Sequence, residues 1–511
     1  MLWQELIKVA LMGTERSQLS PPTKEELRRL GIDPALPPPR LVLEGAAYLA
    51  TMHKGGIRAR EWTRPLPEAA PPNDPQRDCS PRAIQVLEQI LNDSFPDALG
   101  EFVQLLHQHQ RQLPAEMLPD LFDQARRNAE LWGKLRDCIG TRGHWLLQQN
   151  PDWASLRRQP DEALWEYGTR PQRLALLRHW REERPDYGRE RVMENWDTED
   201  SKTRIGLIAH FATGLGPADE TFLENALDDR RKEVRQKAAS LLLQIPASAL
   251  VQRMQERAVA LLDLSHQNGA IDIELQLPDE LGPAILRDGI DPKLRSYPGG
   301  VKASRLGQIL AAIPPRFWEQ HFERDAEEVL SIFTDSNWPE LTFSALTQAT
   351  IRHRTPQWME ALVDFWFRHH FESPWQNIEL EDLMPQLPRP LFNQLALRGL
   401  SLDQALASSN GPVSTLLQHG QQIWEDELTY AFFRKIKEWF QDHPGQYWST
   451  WHFWNILSKA AYLIRPQLWP TLQKAFDQDR VWYEAGAEID KFMTVLRFRD
   501  QMQKSLSSDP K

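Results

Sequence analysis

Cysteine is nearly missing from this chain of 511 residues, in which Cys79 and Cys138 are the two thiols. Two thiols cannot build a disulfide framework or a multi-cysteine metal site, and so low a count suits a reducing cytoplasm. Long apolar runs are missing as well: no stretch approaches the roughly 18 apolar residues that span a bilayer. The amino-terminal MLWQELIKVALMGTER breaks its apolar residues with Glu5 and Lys8, and is too short and too polar for a signal peptide or a membrane span. Positive charge is in deficit, with 60 Lys and Arg against 71 Asp and Glu for a formal charge of −11. That balance argues against a general phosphate-binding surface, so nucleic acid is an unfavoured partner. Catalytic signatures are absent too: the chain has no G-x-S-x-G, no G-x-x-x-x-G-K-[ST] and no H-E-x-x-H. His107 and His109 form H-x-H, a spacing that points two rings apart on a helix. His369 and His370 adjoin after an aromatic-rich segment, where caps and packing contacts are commoner than ligation. These absences predict a soluble cytoplasmic protein that is not an enzyme and holds no cofactor or metal.

What is present is helical periodicity with a repeat. The stretch DDRRKEVRQKAASLLLQIP, Asp228 to Pro246, places Val234, Ala238, Ala239 and Leu242 at helical spacing. PQRLALLRHW from Pro171, KTRIGLIAHF from Lys202 and EVRQKAASLL from Glu233 align with it. Arg173, Arg204 and Arg235 fall 31 residues apart, and Trp180, Phe211 and Leu242 share the position seven residues later. A period of that size, filled by two helices and two turns, is the mark of an α-solenoid, in which stacked hairpins bury faces none could bury alone. The V-R-x-x-A-x-x-x-L pattern resembles HEAT repeats, whose arginine serves inter-repeat packing; a ligand-binding role for Arg235 is the alternative. Asp228 and Asp229 suit a helix amino terminus, Pro246 a stop, and Ser248 the start of the next helix.

The expected fold class is therefore all-α, an α-solenoid of HEAT-like hairpins. Residues 1–80 read as helices (2–12, 23–30 and 41–53) joined by Pro-rich connections, with Pro37-Pro38-Pro39 and Pro67–Pro81 extended and the latter a candidate hinge. Residues 81–165 read as a helical region, 166–265 as the repeats, 266–330 as an irregular insertion and helices, and 331–511 as a carboxy-terminal helical region ending in a disordered SLSSDPK tail. Within the insertion, near 268–300, IDIELQLP alternates in strand fashion, so a short β-hairpin is one reading of it.

Two stretches are candidate partner-binding sites. In IGTRGHWLLQQNPDW, Gly140 and Gly143 allow a tight connection with positive φ, and Asn150 with Pro151 starts a helix. Arg142, Trp145 and Trp153 remain less determined: either they pack on one another, or Arg142 is an anchor for an acidic partner segment. In DHPGQYWSTWHFWNIL, Tyr447, Trp451 and Trp454 share a helix face, which serves either core packing or a docking groove.

Four blocks together resemble an uncharacterised bacterial family with HEAT-like helices: ALMGTER near residue 10, GTRGHWLLQQNPDW near 140, ENALDDRRKEVRQKAASLLLQIPASALVQRM near 224 and LRDGIDPK near 286. Its members are typically found beside genes for a MoxR-type AAA ATPase, a von Willebrand factor A domain protein and a SWIM zinc-finger protein. The resemblance implies association with that ATPase system and brings no catalytic residues. A non-enzymatic scaffold or adaptor is the function it favours. The alternative is a HEAT-like DNA glycosylase or other nucleic-acid-acting enzyme, which needs a basic concave face. Residues 170–262 carry 16 Lys and Arg against 15 Asp and Glu, nearly neutral where the whole chain is acidic.

Overall fold

The computed structural model describes residues 2–56, 68–157, 162–267, 270–278, 282–370, 380–402, 411–443, 451–478, 482 and 486–507. These form an all-α, solenoid-like succession of helices with, among the described residues, a single two-stranded sheet. The chain divides into a small unit, residues 1–69, and a large one, residues 70–511.

In the small unit, α1 (Leu2–Met12), α2 (Pro21–Arg29) and α3 (Pro38–Gly56) bury Leu2, Leu6, Val9, Leu27, Leu41 and Val42 together. Glu5 fixes the arrangement: its carboxylate accepts from the Ser20 N–H at 2.6 Å and Oγ at 3.0 Å, and from the Thr23 hydroxyl. Pro38 and Pro39 occupy the first turn of α3 rather than an extended linker. Their fixed φ and missing N–H cost nothing at the start of a helix, which is the reason the expectation fails there.

The large unit begins with α4 (Pro81–Leu91), α5 (Leu99–Gln108), α6 (Leu118–Ala125), α7 (Ala129–Leu135) and α8 (Gly140–Gln149). Within the stretch read as a hinge or exposed loop, residues 73–77 are held to this group. Asn73 Oδ1 accepts from the Thr141 hydroxyl at 3.1 Å and the Arg142 N–H at 3.0 Å, and the Gln112 N–H donates to the Arg77 carbonyl at 2.8 Å. Gly140 has a φ of +64°, whereas Gly143 lies within α8. A β-carbon on Gly143 would stand 2.6 Å from Ile139 Cβ, so close approach, not positive φ, requires that glycine.

The repeats follow as α9 (Leu164–Tyr167), α10 (Arg170–Glu183), α11 (Pro185–Asn195), α12 (Ser201–Ala209), α13 (Glu220–Ala226), α14 (Lys232–Leu242) and α15 (Ala249–Val259). Trp180, Phe211 and Leu242 are all buried in one core. The register arginines tie each repeat to the next. Arg173 stacks over Trp165 at 4.8 Å and pairs with Glu199; Arg204 lies over Trp196 at 5.8 Å and pairs with Asp229 at 2.6 Å. Arg235 instead donates to the Asp229 and Arg230 carbonyls at 2.8 and 3.1 Å, because the next step of the register falls at Ala260, which offers no carboxylate.

The short hairpin read near 268–300 is present, with its second strand where the alternation placed it and its first strand upstream: β1 (Leu262–Gln267) pairs antiparallel with β2 (Ala270–Leu275), Leu264 facing Ile273 and Leu262 facing Leu275. Beyond it, α16 (Pro283–Arg287) precedes α17 (Gly300–Ala311). Here two of the resemblance blocks interlock. Arg287 binds Asp228 at 2.7 Å, Arg253 bridges Glu224 at 3.0 Å and Asp288 at 2.8 Å, and Lys232 reaches Asp291 at 2.9 Å. Helices continue from Pro315 to the last, here called α18 (Gly486–Ser507). Ser505 and Leu506 of the expected tail are buried in this helix, and residues 508–511 lie outside the described residues.

α18 belongs to two cores at once. Ile489, Phe492, Met493 and Leu496 join the large core that runs from Trp165 onward. Phe498, Met502 and Leu506 join a separate core built by residues 83–156. Phe498 stacks on Phe95 at 3.8 Å, and Arg499 donates to Glu101 at 2.5 Å. The end of the large unit thus returns to its beginning.

Candidate docking groove

α10 is started by a capping box, Thr169 with Gln172, and by Pro171 in its first turn. One side of it turns Leu176, Leu177, Trp180 and Arg181 inward. Arg181 is fully enclosed. It donates to Asp219 at 2.9 and 2.6 Å and to the carbonyls of Thr213, Pro185 and Gly214, and lies 4.5 Å over the Phe211 ring. These bonds make α10 a rigid rail.

The outer side of α10, together with Leu176 and Trp180 at the edge of the inward face, lines a groove of about 1140 Å³. Its facing wall comes from the ends of α6 and α7, from His144 of α8 and from the 3₁₀ turn Pro151–Leu156. Asn150 holds that turn by accepting from the Asp152 N–H at 3.0 Å. Trp153 anchors it from behind, donating to Asp123 at 2.9 Å and meeting the Phe122 ring edge-on at 5.2 Å. The rail from Pro171 to Arg184 gives the groove a length of roughly 20 Å at the helical rise. The volume lies just above the roughly 300–1,000 Å³ of small-molecule clefts.

Five arginines (Arg126, Arg136, Arg157, Arg178, Arg184) and five carboxylates (Asp137, Asp152, Glu162, Glu182, Glu183) line it. Many pair with each other: Arg184 with Glu162 at 2.7 Å, Arg178 with Glu182 at 3.0 Å, and Arg136 with Glu182 across the groove at 3.2 Å. His179 lies on the same rail, and beside Arg178 the half-buried His210 is held below the usual histidine pKa, by desolvation first and the guanidinium second. Burial pushes both thiols, Cys79 and Cys138, up to about 12, leaving them poor nucleophiles. Among the described residues no group of three His, Cys, Asp or Glu is placed to hold a metal, and no helix is long and apolar enough to cross a membrane.

Of the residues singled out from sequence, Arg142 is exposed and Trp145 half-buried, and neither lines the groove; Trp153 faces inward. Trp454 is buried in the large core. Tyr447 and the side chain of Trp451 lie outside the described residues. The stretch around 140–153 does build the groove's far wall, through His144, Pro151 and Asp152. The rail itself was missed as a surface because its repeat alignment explained its apolar side and drew no attention to Ala175, Arg178 and His179 opposite.

A family model described as a family of unknown function (DUF5691) matches residues 5–506. No curated protein matches the chain. Among solved structures, an engineered protein from the Northeast Structural Genomics Consortium aligns over 80% of this chain and 99% of its own at 12% identity. Its TM-score is 0.22, too low to carry an argument.

Proposed function

This chain belongs to the DUF5691 family, a family of unknown function, and on that premise we propose that it works as a non-enzymatic protein–protein interaction scaffold or adaptor. The observation that carries this reading is the groove along α10: about 1140 Å³, helix-length, and lined by charges of both signs. Such a site suits a polypeptide segment, whose backbone and mixed side chains can exchange with the wall's own ion pairs. The resemblance of the sequence blocks supplies candidate owners of that segment, a MoxR-type AAA ATPase and its von Willebrand factor A domain companion. A cytoplasmic location fits such partners.

The test is affinity capture of the tagged chain at native expression level, followed by mass spectrometry, with wild type and Ala175→Trp side by side. Ala175 lines the groove from α10, so the indole fills it without touching the core side. The expected outcome is recovery of the ATPase or its companion by wild type and at least a tenfold loss with Ala175→Trp. Equal recovery by both would remove the groove from the reading. A salt-resistant nanomolar complex with duplex DNA would favour the glycosylase alternative; a scaffold of this charge should show no more than non-specific affinity, about 10⁻⁴ to 10⁻⁶ M.

A further inference from the structure

The groove lies where two cores fail to merge. Residues 83–156 bury one set of side chains, and residues from Trp165 onward bury another. On one side the two are joined chiefly by α18, whose first half is packed into the large core and whose second half is packed into the small one, with Tyr462 packed against both. Elsewhere the two bodies face each other across the groove, spanned by Arg136 and Glu182, whose side chains keep 41% and 28% of their surface exposed.

Those two seams differ in strength. At α18, Phe498, Met502 and Leu506 are buried, and Arg499 is held by Glu101 and by the carbonyls of Ala461 and Ile464 at 2.6 and 2.7 Å. At the groove, a half-exposed ion pair is worth little and is screened by salt. Motion between two bodies concentrates at the seam with the fewest buried contacts and turns about the seam with the most.

We propose that residues 83–156 form a jaw that swings about α18 and closes on α10, with Arg136–Glu182 as its catch. This deepens the docking reading and rests on it: the groove admits a polypeptide segment by opening, and holds it by closing. The jaw's travel changes the groove's width along the whole rail, so the device selects for extended or single-helix segments over globular surfaces.

The experiment places spin labels on encoded azido residues, which leaves Cys79 and Cys138 native, and reads pairwise distances in the full chain. One pair, at Glu130 and Glu190, spans the groove from the exposed faces of α7 and α11; the other, at Arg82 and Ser507, spans the α18 seam. In wild type the groove pair is expected to show a major short and a minor long population. Arg136→Glu should raise the long-to-short ratio by about 1.5- to 5-fold, the worth of an exposed ion pair. Arg136→Lys should leave the ratio at the wild-type value, and 1 M salt should raise it in wild type without any mutation. The seam pair should keep one distance throughout. A single, unchanging groove distance in every sample would overturn the jaw, as would movement confined to the seam pair. The salt series needs no variant to fold. A rigid groove with capture still sensitive to Ala175→Trp would leave the docking reading standing alone, and a moving jaw with insensitive capture would do the reverse.

Discussion

At the scale of single residues, the buried arginine of α10 is the sharpest structural commitment in the molecule. Arg181 and Asp219 are both enclosed, and removing Arg181 leaves the buried carboxylate with only a longer contact to Arg189 at 3.4 Å and the Gly216 N–H at 3.1 Å. Arg181→Ala should lower the unfolding free energy by about 3–5 kcal/mol, measurable by urea titration; a loss under about 1 kcal/mol would mean that water enters the site. Arg142, by contrast, is exposed, so Arg142→Ala should leave stability within about 0.5 kcal/mol of wild type. A loss of partner capture with an unmoved melting curve then assigns it to binding, and unchanged capture removes it as an anchor. His353 sets a pH dependence. Burial, and next the charge of Arg352, hold its folded pKa down at about 4 against the usual 6.5. Between those values the unfolded chain binds the extra proton, so stability is full above about pH 6.5 and falls as the pH drops towards 4. His353→Gln should flatten that slope in thermal melts taken across the window; an unchanged slope would place the titration elsewhere. The sequence showed the arginines in register and left packing and binding both open, because spacing fixes a face of a helix and not what lies opposite it.

Among the elements, those with a local cause were legible and those with a tertiary cause were not. The repeat helices, the Ser248 cap and the β2 strand follow from periodicity and capping chemistry, all contained within a few residues. The partner strand, β1, was hidden because Leu262 and Leu264 continue the apolar pattern of the preceding helix; pairing with Leu275 and Ile273 decides in favour of strand. Gly289 shows the same limit. It sits at φ +89°, and a β-carbon there would stand 2.5 Å from Ala239 Cβ, where the α16 turn presses on α14. Gly289→Ala should therefore cost about 1–3 kcal/mol from strain and clash together. Unfolding by denaturant checks this, and a neutral result would show that the turn can withdraw from α14. The groove was half legible: its far wall drew notice through Asn150 and Pro151, but its rail looked like one more repeat.

Taken whole, the large unit is a succession of helices whose two ends are locked together. Nothing periodic marks that closure in the sequence, since Glu101 and Arg499 meet across 398 positions. Phe498→Ala should cost about 3–5 kcal/mol, and its signature should be distant: amide exchange should quicken in α4 and α5 as well as in α18. Faster exchange in α18 alone would separate the small core from the closure. The same closure has a bearing on synthesis. A ribosome adding about 5–20 residues per second needs roughly 20–80 s to travel from Glu101 to Arg499. For that interval the nascent small core has emerged without Phe498, Met502 and Leu506 to cover it. Newly made chains should therefore be client to holding chaperones for most of a minute, and truncation late in translation should yield an insoluble product though four-fifths of the sequence is already made.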